Sequence, residues 1–219
     1  MKILELELIT NHSLQELADF YTKFLNKPPL EYTDQYLKLQ VGTSQLSFKY
    51  LKSAQSSRYH FAINIPQNQF EAANLWISRQ VSLIADNEGE SVFYSENWDA
   101  TNLYFYDPAG NILELIARHT LDNKSDEVFG AQSLLNISEI GITADDVVKQ
   151  VNALKTKINA NPYRWSGSTE FTPVGDEHGL FIVVKRGRIW FPDTGISAEH
   201  LPVTTLVEQN DRTTKLSFS

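Results

Sequence analysis

Glu5, His60 and Glu114 have the side chains and the placement to do chemistry. Glu5 lies opposite the face formed by Leu4, Leu6 and Leu8. His60 lies opposite Phe61, Ile63 and Ile65, and Glu114 opposite Leu113 and Leu115. Successive side chains of a strand point to opposite faces, so each polar group stands on the face that does not pack against a helix. Imidazole and carboxylate groups bind divalent ions and carry protons. The same pattern also fits a solvated strand face at Glu5, a satisfied core histidine at His60 and an edge charge that blocks aggregation at Glu114. His12 in a turn, His119 after a strand, and His178 and His200 in Gly- or Pro-rich loops read as surface residues. The chain has no cysteine, which removes disulfides, zinc fingers, iron–sulfur clusters and thiol catalysis.

The elements that position these residues come from one pattern used three times. Strand 3–9 is followed by a Ser13-Leu14-Gln15-Glu16 capping box and an apolar helical stripe of Leu14, Leu17, Ala18, Tyr21, Phe24 and Leu25. The second copy opens at Tyr59. It breaks at Pro66, is capped by Asn68 and carries a stripe of Phe70, Ala73, Trp76 and Ile77. The third opens at Ile137, with a Thr143-Ala144-Asp145-Asp146 cap and a stripe of Val147, Val151, Leu154 and Ile158. Strand-like segments follow each helix: 31–33, 36–41 and 45–51; then 82–85, 91–95, 103–106 and 112–117; then 163–165, 170–172, 180–184 and 188–191. A last strand is expected at 203–207. Residues 119–134 are polar and aperiodic and read as a linker.

Apolar residues make up 42% and charged residues 21% of the 219, which is globular composition and excludes wholesale disorder and coiled coil. No apolar run approaches the ~20 residues that span a bilayer. Glu5 and Glu7 interrupt the stretch a signal peptide needs, so a cytoplasmic location is expected. A formal charge of −8 without a basic stripe argues against nucleic-acid or anionic-membrane partners.

The tandem βαβββ pattern, the strand-leading His60-Phe61-Ala62-Ile63, the Phe20-Tyr21 and Phe24-Leu25 pairs, and above all the run from Tyr106-Asp107-Pro108-Ala109-Gly110-Asn111 through Ile112-Leu113-Glu114-Leu115 resemble the vicinal oxygen chelate superfamily. That group includes glyoxalase I, extradiol dioxygenases, fosfomycin thiol transferases and bleomycin-binding proteins. The resemblance implies an α+β fold: tandem βαβββ modules forming a cupped mixed sheet with helices on its outer face, plus a third, degenerate module. It is clearest over residues 1–118, expected as a two-module domain. Residues 119–134 are then the linker, and 135–219 the third module with a C-terminal strand.

The resemblance further implies metal ligands on the first and last strands of paired modules. These fall on Glu5, His60 and Glu114, with Ser47 at the fourth position, where relatives carry a carboxylate. One His and two carboxylates suit Zn, Mn, Ni or Fe(II). The set is harder than the two-His, one-carboxylate triad, which disfavours ring-cleaving dioxygenation. The expected function is an isomerase or lyase of the glyoxalase kind, acting on a small oxygenated molecule chelated to the ion, with Glu5 or Glu114 as base. The alternative is a metal-free, ligand-sequestering protein of the bleomycin-resistance type. Ser47, Tyr94, Trp98, Tyr104 and Tyr106 are the expected pocket residues. In the third module Glu139 stands at the position of His60 and Phe191 at that of Glu114. One carboxylate facing a Phe holds no metal, so this module is expected to be structural, packing on residues 1–118 or forming a homodimer. Arg186, Arg188 and Trp190 there fit a partner, an anionic ligand or an exposed turn.

Overall fold

In a computed structural model, residues 1–53, 58–164 and 167–219 are described. The first unit is β1 (Lys2–Thr10), α1 (Leu14–Leu25), β2 (Glu31–Tyr32), β3 (Tyr36–Val41) and β4 (Ser44–Tyr50). The second is β5 (His60–Ile65), α2 (Phe70–Ile77), β6 (Phe93–Ser95), β7 (Ala100–Tyr106) and β8 (Ile112–Arg118). The third is β9 (Asn136–Ala144), α3 (Val147–Ile158), β10 (Phe171–Asp176) and β11 (Gly179–Lys185). A hairpin of β12 (Val203–Gln209) and β13 (Arg212–Phe218) closes the chain.

Local chemistry explains most of the boundaries. The Ser13 hydroxyl accepts from the Glu16 amide and starts α1, and left-handed Asn26 ends it. Asp146, rather than Thr143, caps α3 by accepting from Lys149 N–H at 2.9 Å. Asn68 does not cap α2, whose N-cap is Gln69. Its amide instead donates to the Ser125 carbonyl and accepts from the Ser125 N–H. Residues 82–85 and 188–191 form no strands, only the single bridges Leu83–Phe105 and Ile189–Ser197. Trp165, at the end of the expected strand 163–165, lies outside the described residues. The tail holds two strands where one was expected.

The strands form two mixed sheets. Sheet A has the order β13-β12-β1-β4-β3-β2, and sheet B the order β10-β11-β9-β5-β8-β7-β6. This revises the expected organisation. β1 pairs with β12 and β5 pairs with β9, so both sheets cross the expected boundary at residue 118. The first unit shares a sheet with the C-terminal hairpin, and the second unit shares one with the third. The open edge of the third unit is therefore met within the chain. Residues 119–134 are not a loose connector either. Asn123 and the carbonyls of Leu121, Ser125 and Glu127 bond Gln67 and Gln69, and Phe129 packs 5.5 Å from Trp76.

Apolar strand faces and the helices meet in the main core, with a smaller cluster around Tyr104, Ile182 and Trp190 on the other face of sheet B. Tyr21 of α1 packs 5.5 Å from Phe48 of sheet A, and Phe24 packs 5.7 Å from Phe105 of sheet B. The Ser44 hydroxyl ties the sheets together, donating to the Ile3 carbonyl at 2.6 Å and accepting from Ile137 N–H at 3.0 Å. Gly42 turns at φ +54° against the Leu135 carbonyl, which an added Cβ would meet at 1.9 Å. The conspicuous Asp-Pro-Ala-Gly-Asn turn is anchored inward. Buried Asp107 accepts from the backbone and side chain of Asn111 and, at 2.9 Å, from the Tyr21 hydroxyl. Tyr21→Phe removes that donor from a buried carboxylate. The expected cost is about 1–3 kcal/mol, read as a lower urea midpoint with an unchanged slope; an unchanged midpoint would show that the bond does not hold α1 to the turn.

Candidate metal centre

Alternation along three neighbouring strands builds the site. In sheet B, β5 lies between β9 and β8. Ala62 of β5 is paired with Glu139 on one side and with Glu114 on the other. His60, two residues before Ala62, shares its face. The methyl side chain of Ala62 leaves open the space that two glutamates and an imidazole then occupy. The result is a buried group of His60, Glu114 and Glu139 whose ligand atoms all lie within 4.8 Å of one another. His60 Nε2 is 3.5 Å from Glu114 Oε2.

Below this group lies Arg118, which is fully buried. It is on the Glu114 face of β8, and its Nη2 donates to Glu139 Oε1 and its Nε to Asn64 Oδ1 at 3.2 Å. Trp98 covers the guanidinium, 5.3 Å from its ring centroid. Burial lowers the His60 pKa to about 4, and the nearby Arg188 charge adds to the effect. His60 is therefore neutral at physiological pH. Burial pushes Glu114 well above the usual carboxylate range, and the Glu139 charge pushes it further. Burial raises Glu139 too, but the Arg118 guanidinium opposes it. The Arg118 guanidinium thus favours the charged form of Glu139 more than that of Glu114.

The group opens on a cavity of about 330 Å³ walled by aromatic rings. Trp190 reaches over Gly141, where an added Cβ would lie 2.5 Å from its ring, and stands 5.2 Å from the His60 ring. Phe191, half-exposed at the mouth, meets Phe93 at 4.8 Å and Tyr104 at 5.5 Å. Both rings thus find their partner surface in the second unit of the same chain.

These positions correct several sequence expectations. Glu5 is not with His60 and Glu114. It lies on sheet A with 51% of its side-chain surface exposed, 4.0 Å from Lys38 Nζ. Ser47 is also on sheet A, beside Glu7, and lines a separate hollow with Glu5. Tyr94, Trp98 and Tyr104 line the cavity, but Tyr106, at the end of β7, does not. The third unit, expected to hold no ligand-type pair, supplies Glu139. Glu139 finds its partners outside its own unit, because β9 pairs with β5, whose other neighbour β8 carries Glu114. Arg118 joins the site as a further member, its parity with Glu114 and Ile116 placing it on the same face.

The group fits a divalent ion. Two ligands at ~2.0–2.2 Å from one ion are at most about 4.4 Å apart, so only small side-chain shifts separate the group from coordination distances. Neutral imidazole and carboxylate oxygens are the donors such ions take.

No protein-family model and no curated protein matches the sequence. Solved structures do. A Bacillus subtilis protein provisionally named a dioxygenase superposes with a TM-score of 0.60 at 15% identity over 84% of this chain and 63% of its own. Glyoxalase I from Zea mays superposes with a TM-score of 0.51 at 14% identity over 84% of this chain and 66% of its own. This chain thus spans somewhat under two thirds of the length of each. At these identities the likeness shows the fold, and it is the fold that the Asp-Pro-Ala-Gly-Asn turn and the repeated βαβββ pattern suggested: the chain carries the cupped α+β architecture of the vicinal oxygen chelate superfamily.

Proposed function

We propose that the chain is a metal-dependent enzyme of the glyoxalase kind, an isomerase or lyase acting on a small molecule with two adjacent oxygens. His60, Glu114 and Glu139 would hold the ion. The observation that carries this reading is the convergence of the three in a buried cup that opens on an aromatic cavity. An ion there would supply Lewis-acid polarisation of the substrate oxygens. The side chains supply the rest. Burial favours the protonated form of Glu114, so whenever it is off the ion it is the group placed to give or take a proton. Tyr104, paired with Glu114 across β7 and β8, lines the cavity beside it and accepts from Asn102 Nδ2 at 3.4 Å. Arg118 fixes the orientation of Glu139 from below.

One observation favours a second reading, a metal-free sequestering protein. The buried groups at the floor of the cup need no ion to answer them: Arg118 pairs with Glu139, His60 is neutral and burial favours the uncharged form of Glu114. Metal analysis separates the two readings. Protein purified without chelators is expected to carry about one divalent ion per chain. Glu139→Gln and His60→Ala should each lower binding by about tenfold or more, and Glu5→Gln should leave it unchanged. Wild-type protein that binds no divalent ion in titration would favour sequestration instead.

The reaction class has its own test. Ring cleavage at a non-haem iron centre is served by two histidines and one carboxylate, whereas this group has one histidine. With catechol and Fe(II), no oxygen uptake above the metal-only control is expected in an oxygen-electrode assay. Sustained uptake with a coloured product would move the assignment to the dioxygenases.

A further inference from the structure

The loop after β11 carries two arginines that part company. Arg186 turns outward and pairs with Glu199 at 3.2 Å. Arg188 turns into the cavity that holds His60, Glu114 and Glu139. Its guanidinium lies 5.0 Å from the centroid of the Phe171 ring. It makes a long 3.4 Å hydrogen bond to the Ile189 carbonyl. Among the described residues no carboxylate comes within 4.0 Å of it; Arg186, Arg164 and Arg118 have such partners. Glu170 is the acidic group whose field it feels, and its own charge is felt at His60. A half-buried cation facing a cavity without a counter-ion is incomplete as a structural feature, because desolvating a charge costs free energy that only an opposite charge offsets.

We propose that the cup binds a small aromatic carboxylate and that Arg188 receives the carboxylate group. This rests on the reading of the cup as a ligand site, but not on the presence of an ion. Three observations fix the class. The planar guanidinium matches a carboxylate bidentately. The walls are rings, with Phe93, Trp98, Tyr104, Phe171 and Trp190 all facing the same space, so a flat apolar body is the complementary shape. Among the described residues Arg188 is the one cation lining this cavity, which also holds the carboxyls of Glu114 and Glu139, so a single negative charge is the match rather than a phosphate dianion. A volume of about 330 Å³ stands at the small end of ligand pockets, enough for a single-ring molecule.

Benzoate and its neutral isostere benzamide test this directly on the full chain, by quenching of the fluorescence of Trp98 and Trp190. Benzoate should bind saturably and at least about tenfold more tightly than benzamide, the difference a charge-assisted pair typically makes. Arg188→Met should remove that preference without shifting the melting temperature, and Arg188→Lys should keep part of it. The preference should also survive treatment with chelator, because Arg188 is no metal ligand. Equal binding of the two probes, no binding of benzoate at about 10 mM, or a preference that Arg188→Met leaves intact would overturn the proposal. So would a preference that chelator abolishes, because the carboxylate would then sit on the ion. If the protein binds no metal yet retains the Arg188-dependent preference, the metal reading fails and this one stands.

Discussion

Arg118 is completely buried, and its charge has to be answered where it lies. A lone guanidinium in a dry interior costs several kcal/mol. Glu139 answers it with a charge-assisted hydrogen bond, and Asn64 takes a second donor. This pair reaches from the second unit to the third, since Arg118 ends β8 and Glu139 lies in β9. It forms only when β5 is flanked by both strands, the pairing that makes sheet B. The orientation of Glu139, its approach to Glu114 and the upward push on the Glu114 pKa all follow from that placement.

Once Glu139 is held from below, the rest of the cup is governed by size. Ala62 is small enough to leave room between the two glutamates, and Gly141 is small enough to let Trp190 close over the cup. The loop that carries Arg188, Trp190 and Phe191 stands where a last strand of the third unit was expected. It brings an aromatic wall and a cation to the mouth of the cup instead of another ligand. Sheet A, built from the first unit and the C-terminal hairpin, shows the opposite outcome. Glu5, Glu7, Ser47 and Lys215 line its small hollow, and Glu5 remains half in solvent beside Lys38.

The sequence showed the units clearly and their partnership not at all. Period-two and helical spacing located most of the elements, and the Asp107–Asn111 turn pointed to the fold. Both are local signals, written within a few residues of each other. The parity of His60 and Glu114 placed them on one face for the same reason. Which strand lies beside β5 is not a local property. β1 and β9 each open a unit by leading into a helix, and only the tertiary packing decides that β9 takes that edge while β1 joins β12. Parity alone therefore groups Glu5 with His60 and Glu114, and only the pairing of β9 with β5 puts Glu139 in that place. The retrievable signal was Arg118: a charge at the end of an apolar strand, in phase with Glu114, that called for a buried acid from another unit.

The account stands on one placement, that the ion belongs to the cup of the second and third units. Crystals soaked in Mn(II) and measured for anomalous scattering test it most directly. The prediction is one strong peak within about 2.0–2.3 Å of donor atoms of His60, Glu114 and Glu139. A peak on sheet A beside Glu5, with none between β5, β8 and β9, would contradict it.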